Sequence, residues 1–214
     1  MTVRITEHDV ATLAPSARSS YREAFINAQP VLDLFGISDS PLRMAHFMAQ
    51  MLHECGGLTI QFENLNYSAA RLPKVWPSRF QPTGPLNPAA FAHNPQKLAN
   101  EVYGKRMGNT APDDGFTYRG RGLLQLTGKD SYQRATQILR GSFADAPDFV
   151  QAPDEVISAG WCVTVAAAIW QQKGCNEKAD ADSITQVTKA INGGLIGLGD
   201  RKEWLRRTRA VWAG

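Results

Sequence analysis

Between Pro41 and Gly57 the chain carries its most constraining stretch, an apolar run at helical spacing. Leu42, Ala45, Met48 and Leu52 recur on one face, with Met44, Phe47 and Met51 beside them. So wide a stripe predicts a helix buried on most of its circumference, around which the rest must pack. Ser40 suits the N-cap, Pro41 suits the first helical position, and Gly56-Gly57 stops the helix. The same helix carries Glu54 to its carbonyl end. The negative end of the helix dipole and partial desolvation both oppose a charge there. The sequence therefore predicts a carboxyl that keeps its proton longer than a free glutamate, as a general acid needs. A lone glutamate at a helix end is ordinarily a solvated one, so the functional reading has to rest on other residues as well.

The remaining chain reads as mostly helical. Thr6-Glu7-His8-Asp9 looks like a capping box lacking its glutamate, and Pro15 breaks the helix it opens. Helices are expected over Ser19–Ala28, Pro30–Phe35, Gln96–Tyr103, Asp130–Leu139, Pro153–Gln172, Ser183–Ile191 and Asp200–Trp212. Six prolines between Pro73 and Pro95 forbid long helices and central strands, which predicts a surface excursion of the kind that walls binding sites. Alternation through Leu124, Gln125, Leu126 and Thr127 predicts a short strand with one polar face.

At 214 residues, with 43% hydrophobic and 20% charged residues, the chain is long enough for one domain with ample core. A net charge of +3 gives no argument for nucleic acid. Residues 1–10 hold no apolar run that would serve as a signal-peptide core, and Ala159–Trp170 is too short to span a bilayer. Cys55, Cys162 and Cys175 have no paired spacing and are expected to be free thiols of a reducing cytosol.

Three segments in order carry a resemblance. They are Phe47–Gly57 with its His53-Glu54, Glu63-Asn64-Leu65-Asn66-Tyr67-Ser68-Ala69-Ala70-Arg71-Leu72, and Tyr118-Arg119-Gly120-Arg121-Gly122-Leu123-Leu124-Gln125-Leu126-Thr127-Gly128, with Ile191-Asn192-Gly193-Gly194 downstream. From about Met44 to Gly194 the chain resembles glycoside hydrolase family 19, the plant-type chitinases and the phage endolysins that share a lysozyme-like fold. The resemblance implies a mainly α, α+β fold of two lobes with a small β-sheet and a central cleft. Residues 41–194 would form the catalytic core, 1–40 a helical N-terminal extension and 195–214 a C-terminal amphipathic basic helix.

By the same resemblance Glu54 is the general acid and Glu63 the general base. Two carboxyls on separate elements with room for water between them describe an inverting glycosidase. Thr127 would help hold the water, since a hydroxyl both donates and accepts. Gln125, Asn66, Tyr67 and Asn192 would contact sugar. No metal or cofactor is implied. The implied substrate is the peptidoglycan glycan strand, cut by a monomeric N-acetylmuramidase-type endolysin made in the host cytoplasm and released to the wall through a separate pore. A chitinase and a catalytically idle glycan-binding module are the alternatives, and a bacterial wall-degrading effector would carry the same chemistry.

Other readings fail on residue type. His53-Glu54 lacks a zincin's second histidine, because position 57 is glycine. His46 and His53 share a helix face without a third ligand. Cys55 sits at a helix C-terminus, the wrong end for a thiolate. Arg119 and Arg121 lie between glycines but lack P-loop spacing, and are expected to pair with buried carboxylates. Asp113 and Asp114 are expected to be solvated turn caps. The last helix sets Trp204, Leu205, Val211 and Trp212 opposite Arg201, Lys202, Arg206, Arg207 and Arg209. It is either a docked core element or a contact for an anionic membrane or lipopolysaccharide.

Overall fold

A computed structural model describes residues 2–213. Three short helices open the chain, α1 (Glu7–Leu13), α2 (Ser19–Ile26) and α3 (Gln29–Leu34). Asp9 supplies what the first cap lacks: its carboxylate accepts the Thr6 amide at 2.9 Å, and the Thr6 hydroxyl accepts the Asp9 amide at 3.2 Å. The organising helix is α4 (Pro41–Glu54), capped by the Ser40 hydroxyl, and every residue from Met44 to Leu52 is buried.

Of three apolar clusters, the smallest seats Leu205 on Ala45 and Ala49 of α4, and the other two build the bulk of the molecule. The larger gathers Val10, Tyr21, Phe25 and Leu32 from the first three helices onto Phe47, Met48 and Met51 of α4. The first forty residues thus share the main core. The smaller cluster holds Leu65, Leu72, Phe80, Phe91, Leu98 and Val102, and the proline-rich stretch builds most of it. Three of its prolines, Pro73, Pro88 and Pro95, sit where a missing N–H costs nothing, in the first turns of α5 (Leu72–Val75), the 3-10 turn Pro88–Ala90 and α6 (Pro95–Tyr103). The expected surface excursion is a small lobe, with Phe80 and Phe91 packed edge to face at 5.3 Å.

After α7 (Asp114–Thr117) and α8 (Lys129–Arg140), the chain departs from its expected form. The long helix foreseen from Pro153 is a 3-10 turn, Pro153–Ile157, followed by α9 (Cys162–Gln172). Ser158 between them is extended at ψ 150°, and its hydroxyl donates to the Glu155 carbonyl at 2.9 Å, which diverts the backbone from helix. Then come α10 (Cys175–Asp180), α11 (Ile184–Asn192) and α12 (Leu198–Trp212). Helix α12 lies along α4.

Among the described residues there is no strand, only isolated bridges that pair Phe62 with Arg121, Arg121 with Leu126 and, in the small lobe, Phe80 with Leu86. The strand expected at Leu124–Thr127 fails because Gln125 adopts a left-handed φ of 50°. The chain instead makes a tight hairpin in which Arg121 and Leu126 exchange backbone hydrogen bonds at 2.9 and 3.1 Å. The small sheet shrinks to one rung, Phe62–Arg121–Leu126.

Candidate active site

Glu54 ends α4 with its carboxyl half-buried, and Arg201 of α12 meets it. The guanidinium donates to Glu54 Oε1 at 2.5 Å and to Gln50 Oε1, one turn earlier on α4, at 2.5 Å. Arg201 is almost wholly buried, with 2% of its side chain exposed. The expectation of a carboxyl facing only the negative end of a helix dipole is thus corrected. A buried cation opposes the dipole and fixes one carboxyl oxygen, while Oε2 has no hydrogen-bond partner among the described residues.

The sequence sets Arg201 among the basic residues opposite Trp204 and Leu205, yet the structure buries it against α4. Its own spacing carries the missed signal: positions 201, 205, 208 and 212 form a helical stripe, so Arg201 shares a face with Leu205, Thr208 and Trp212. The buried Thr208 hydroxyl donates to the Ala45 carbonyl at 2.8 Å, which seats the helix on α4.

Glu63 follows a glycine-rich turn and stands where the two clusters meet. Its amide donates to the Gly120 carbonyl at 2.9 Å, and Gly120's amide returns a bond to Glu63 Oε1 at 2.5 Å. The Tyr103 hydroxyl, from the end of α6, donates to Oε2 at 2.6 Å. Burial, together with the carboxylate it serves, pushes the Tyr103 hydroxyl well above the usual phenol value, so it stays a donor at any working pH. Both Glu63 oxygens are thereby held as acceptors. Tyr103 went unread in the sequence, where only helix spacing marked it.

Gly120 is where three of the predicted residues come together. A Cβ placed on it would lie 3.2 Å from each of Glu63 Oε1, Gln125 Oε1 and Thr127 Oγ1. The space that glycine leaves open is ringed by a carboxylate, an amide and a hydroxyl. Gln125 is held in its left-handed turn by its own amide, which donates to the Gly122 carbonyl at 2.9 Å. The Thr127 hydroxyl donates to the Gln125 carbonyl at 3.0 Å, so its lone pairs remain to accept from a water.

The other predicted residues stand apart from this trio. Asn66 Oδ1 pairs with His93 Nδ1 at 2.9 Å, and Tyr67 packs edge-on against Trp76 at 5.2 Å, both in the small lobe. Asn192 is exposed in the last turn of α11, just before the left-handed Gly193. None of the three bonds to Glu54, Glu63, Gln125 or Thr127 among the described residues.

The arginines at the hairpin are structural, but not through buried carboxylates as expected. Arg119 donates to the Phe116 carbonyl and stacks between Phe62 and Phe116 at 4.6 and 4.1 Å. Arg121 donates to the Thr117 carbonyl and the Tyr132 hydroxyl, and its one carboxylate, Asp154 at 3.1 Å, is exposed. Asp114 also departs from expectation: it is buried, and accepts the amides of Thr110 and Ala111 at 2.9 and 3.0 Å. The three cysteines are free and buried, and burial pushes each thiol up to about 12. Such a thiol supplies no nucleophile at neutral pH.

No family profile matches the sequence. A glycosyl hydrolase family 19 domain-containing protein of Haemophilus influenzae is 34% identical over 203 residues, spanning 94% of both chains. The chain belongs to glycosyl hydrolase family 19. Solved structures agree at the level of fold. Chitinase C of Streptomyces griseus superposes with a TM-score of 0.64 over 97% of this chain and 76% of its own, at 17% identity. A bacterial family 19 chitinase gives 0.63 over 98% and 95%, at 18% identity. The mostly helical architecture is the family 19 fold, and the protein is a chitinase-like glycoside hydrolase.

Proposed function

We propose that this family 19 hydrolase is an endolysin that cuts β-1,4 bonds of peptidoglycan as an inverting N-acetylmuramidase. The observation that carries the mechanism is the convergence of Glu63, Gln125 and Thr127 on the open face of Gly120, with Glu54 held separately under Arg201. Glu54, its Oε1 fixed by Arg201, gives a proton from Oε2 to the leaving glycosidic oxygen as the C1–O bond breaks. A water held by Thr127 attacks C1 from the opposite face and passes its proton to Glu63. The Gly120 amide and Tyr103 keep Glu63 oriented as that acceptor. Gln125, Asn66, Tyr67 and Asn192 contact sugar along the strand.

Peptidoglycan is favoured over chitin by the three unpaired thiols, which do not supply the disulfides of a secreted plant-type chitinase. Synthesis in a host cytoplasm and release through a separate pore complete the reading. A chitinase is the second reading, favoured by the two solved chitinases that share the fold. Product analysis on purified peptidoglycan and chitin oligomers separates them. Muropeptides with reducible N-acetylmuramic acid ends, and feeble action on chitin, are expected. Anhydro ends would remove Glu63 as base, and free peptides with intact glycan would end the glycosidase reading.

A further inference from the structure

A pocket of about 390 Å³ opens beside the trio, and Gln125 and Thr127 line both. Its volume falls within the range of ligand sites. Its apolar wall comes from Ile138, Ile169 and Ile191, and its charges are Arg134 of α8 and Lys173 at the end of α9. No aspartate or glutamate lines it, although the chain has 20 such residues. Arg134 is exposed and makes no ion pair or side-chain hydrogen bond among the described residues. Lys173 spends one of its three N–H groups on the Ala190 carbonyl at 2.7 Å, where it caps α11. Two cations without a counter-charge, on an apolar wall next to the catalytic residues, describe a receptor for a small anion with methyl groups.

We infer that this pocket receives the peptide stem of the muramic acid residue, with Arg134 and Lys173 binding its carboxylates and the isoleucine wall taking the lactyl and alanyl methyls. The inference rests on the peptidoglycan reading above and names the part of the substrate that sets it. Gln125 and Thr127 face both the reacting sugar and the pocket, so a substituent on a sugar held there lies within a side chain's length of it. Chitin carries only a hydroxyl at C3, where muramic acid bears its lactyl ether and stem, and leaves both cations unmatched.

The test compares peptidoglycan strands bearing their stems with the same strands freed of peptide by an amidase, and with chitin oligomers. Arg134→Glu reverses a charge that no neighbour uses, and Lys173→Gln removes the second. The ratio of kcat/KM on stem-bearing over stem-free strands should fall roughly 10- to 100-fold for Arg134→Glu, mainly through KM, as expected for a lost charge-assisted contact. A smaller fall is expected for Lys173→Gln, whose melting temperature checks the cap on α11. An unchanged ratio in Arg134→Glu would overturn the proposal, and so would an equal loss on both strands. A wild-type enzyme that cuts chitin oligomers and leaves peptidoglycan intact would overturn the substrate reading itself, and this proposal with it.

Discussion

Arg201 changes what a substitution at Glu54 should do. Glutamine in its place keeps an oxygen for the guanidinium and removes the proton, so turnover should fall by roughly two to four decades with the fold retained. Alanine leaves the buried guanidinium with Gln50 and the Ile196 carbonyl but no counter-charge, and should in addition cost about 3 kcal/mol, the lower end for breaking a buried pair. Denaturant melts and lysis of outer-membrane-stripped cells read the two effects separately; normal lysis by Glu54→Gln would remove Glu54 as the acid. At Glu63 and Thr127 the geometry around Gly120 predicts coupling. In the proposed mechanism both act on one water, so Glu63→Gln and Thr127→Ala together should lose far less than the product of their separate losses in kcat. Full additivity would assign them to separate events.

Among the elements, α12 decides most. Its basic residues are largely engaged within the chain: Arg201 with Glu54, Arg206 with Glu203, Arg207 with the Leu13 carbonyl and the Trp204 ring, and Arg209 with Asp182. Trp212 donates its ring N–H to the Arg4 carbonyl at 3.1 Å, tying the last helix to the start of the chain. We propose on these grounds that α12 is a docked core helix first, with Lys202 and Arg206 as what remains exposed for an anionic surface. Truncation before Leu198 would bare Ala45 and Ala49 of α4 and orphan Glu54, so the shortened chain should show no cooperative thermal transition by circular dichroism. A truncated chain that melts cooperatively and loses only its action on intact cells would make α12 an anchor instead.

For the molecule as a whole, a buried histidine couples fold to pH. His46 is fully buried in α4; its Nε2 faces Asp182 Oδ1 at 2.9 Å, and its Nδ1 has no partner among the described residues. A neutral ring donating from Nε2 satisfies this arrangement, and a second proton on Nδ1 would be an unpaired buried donor. Desolvation accordingly lowers the pKa below the ordinary 6.5, against the pull of Asp182. The unfolded chain then binds the proton more readily than the folded one, so stability is full above 6.5 and declines as pH falls below it. His46→Gln, which keeps a donor for Asp182, should flatten the fall in Tm between about pH 7 and 5. Asp182 itself, held below 3.8 by His46 and Arg209, contributes above that value and gives up its share only in stronger acid. An unchanged slope in His46→Gln would place the acid sensitivity elsewhere.

The periodicity around Met48 and the stops at Gly56 and Gly141 were legible because each is set by neighbours along the chain, whereas Glu63 and Gln125–Thr127 were marked only by the family resemblance of their segments. Local chemistry fixes a helix face, a cap or a break wherever the partners are three or four residues apart. What sequence order leaves open is which distant group meets which. Arg201 reaches Glu54 across 147 residues of chain, Tyr103 reaches Glu63 across 40, and Gly120 closes on it across 57. The strand at Gln125 failed for a related reason, since the turn at Gly122 and the pairing of Arg121 with Leu126 outweighed alternation. The prolines excluded long elements between residues 73 and 95, yet burial of Phe80 and Phe91 against α6 made that stretch a lobe. Helix faces follow from covalent order; the charge partner of a half-buried carboxyl follows only from packing.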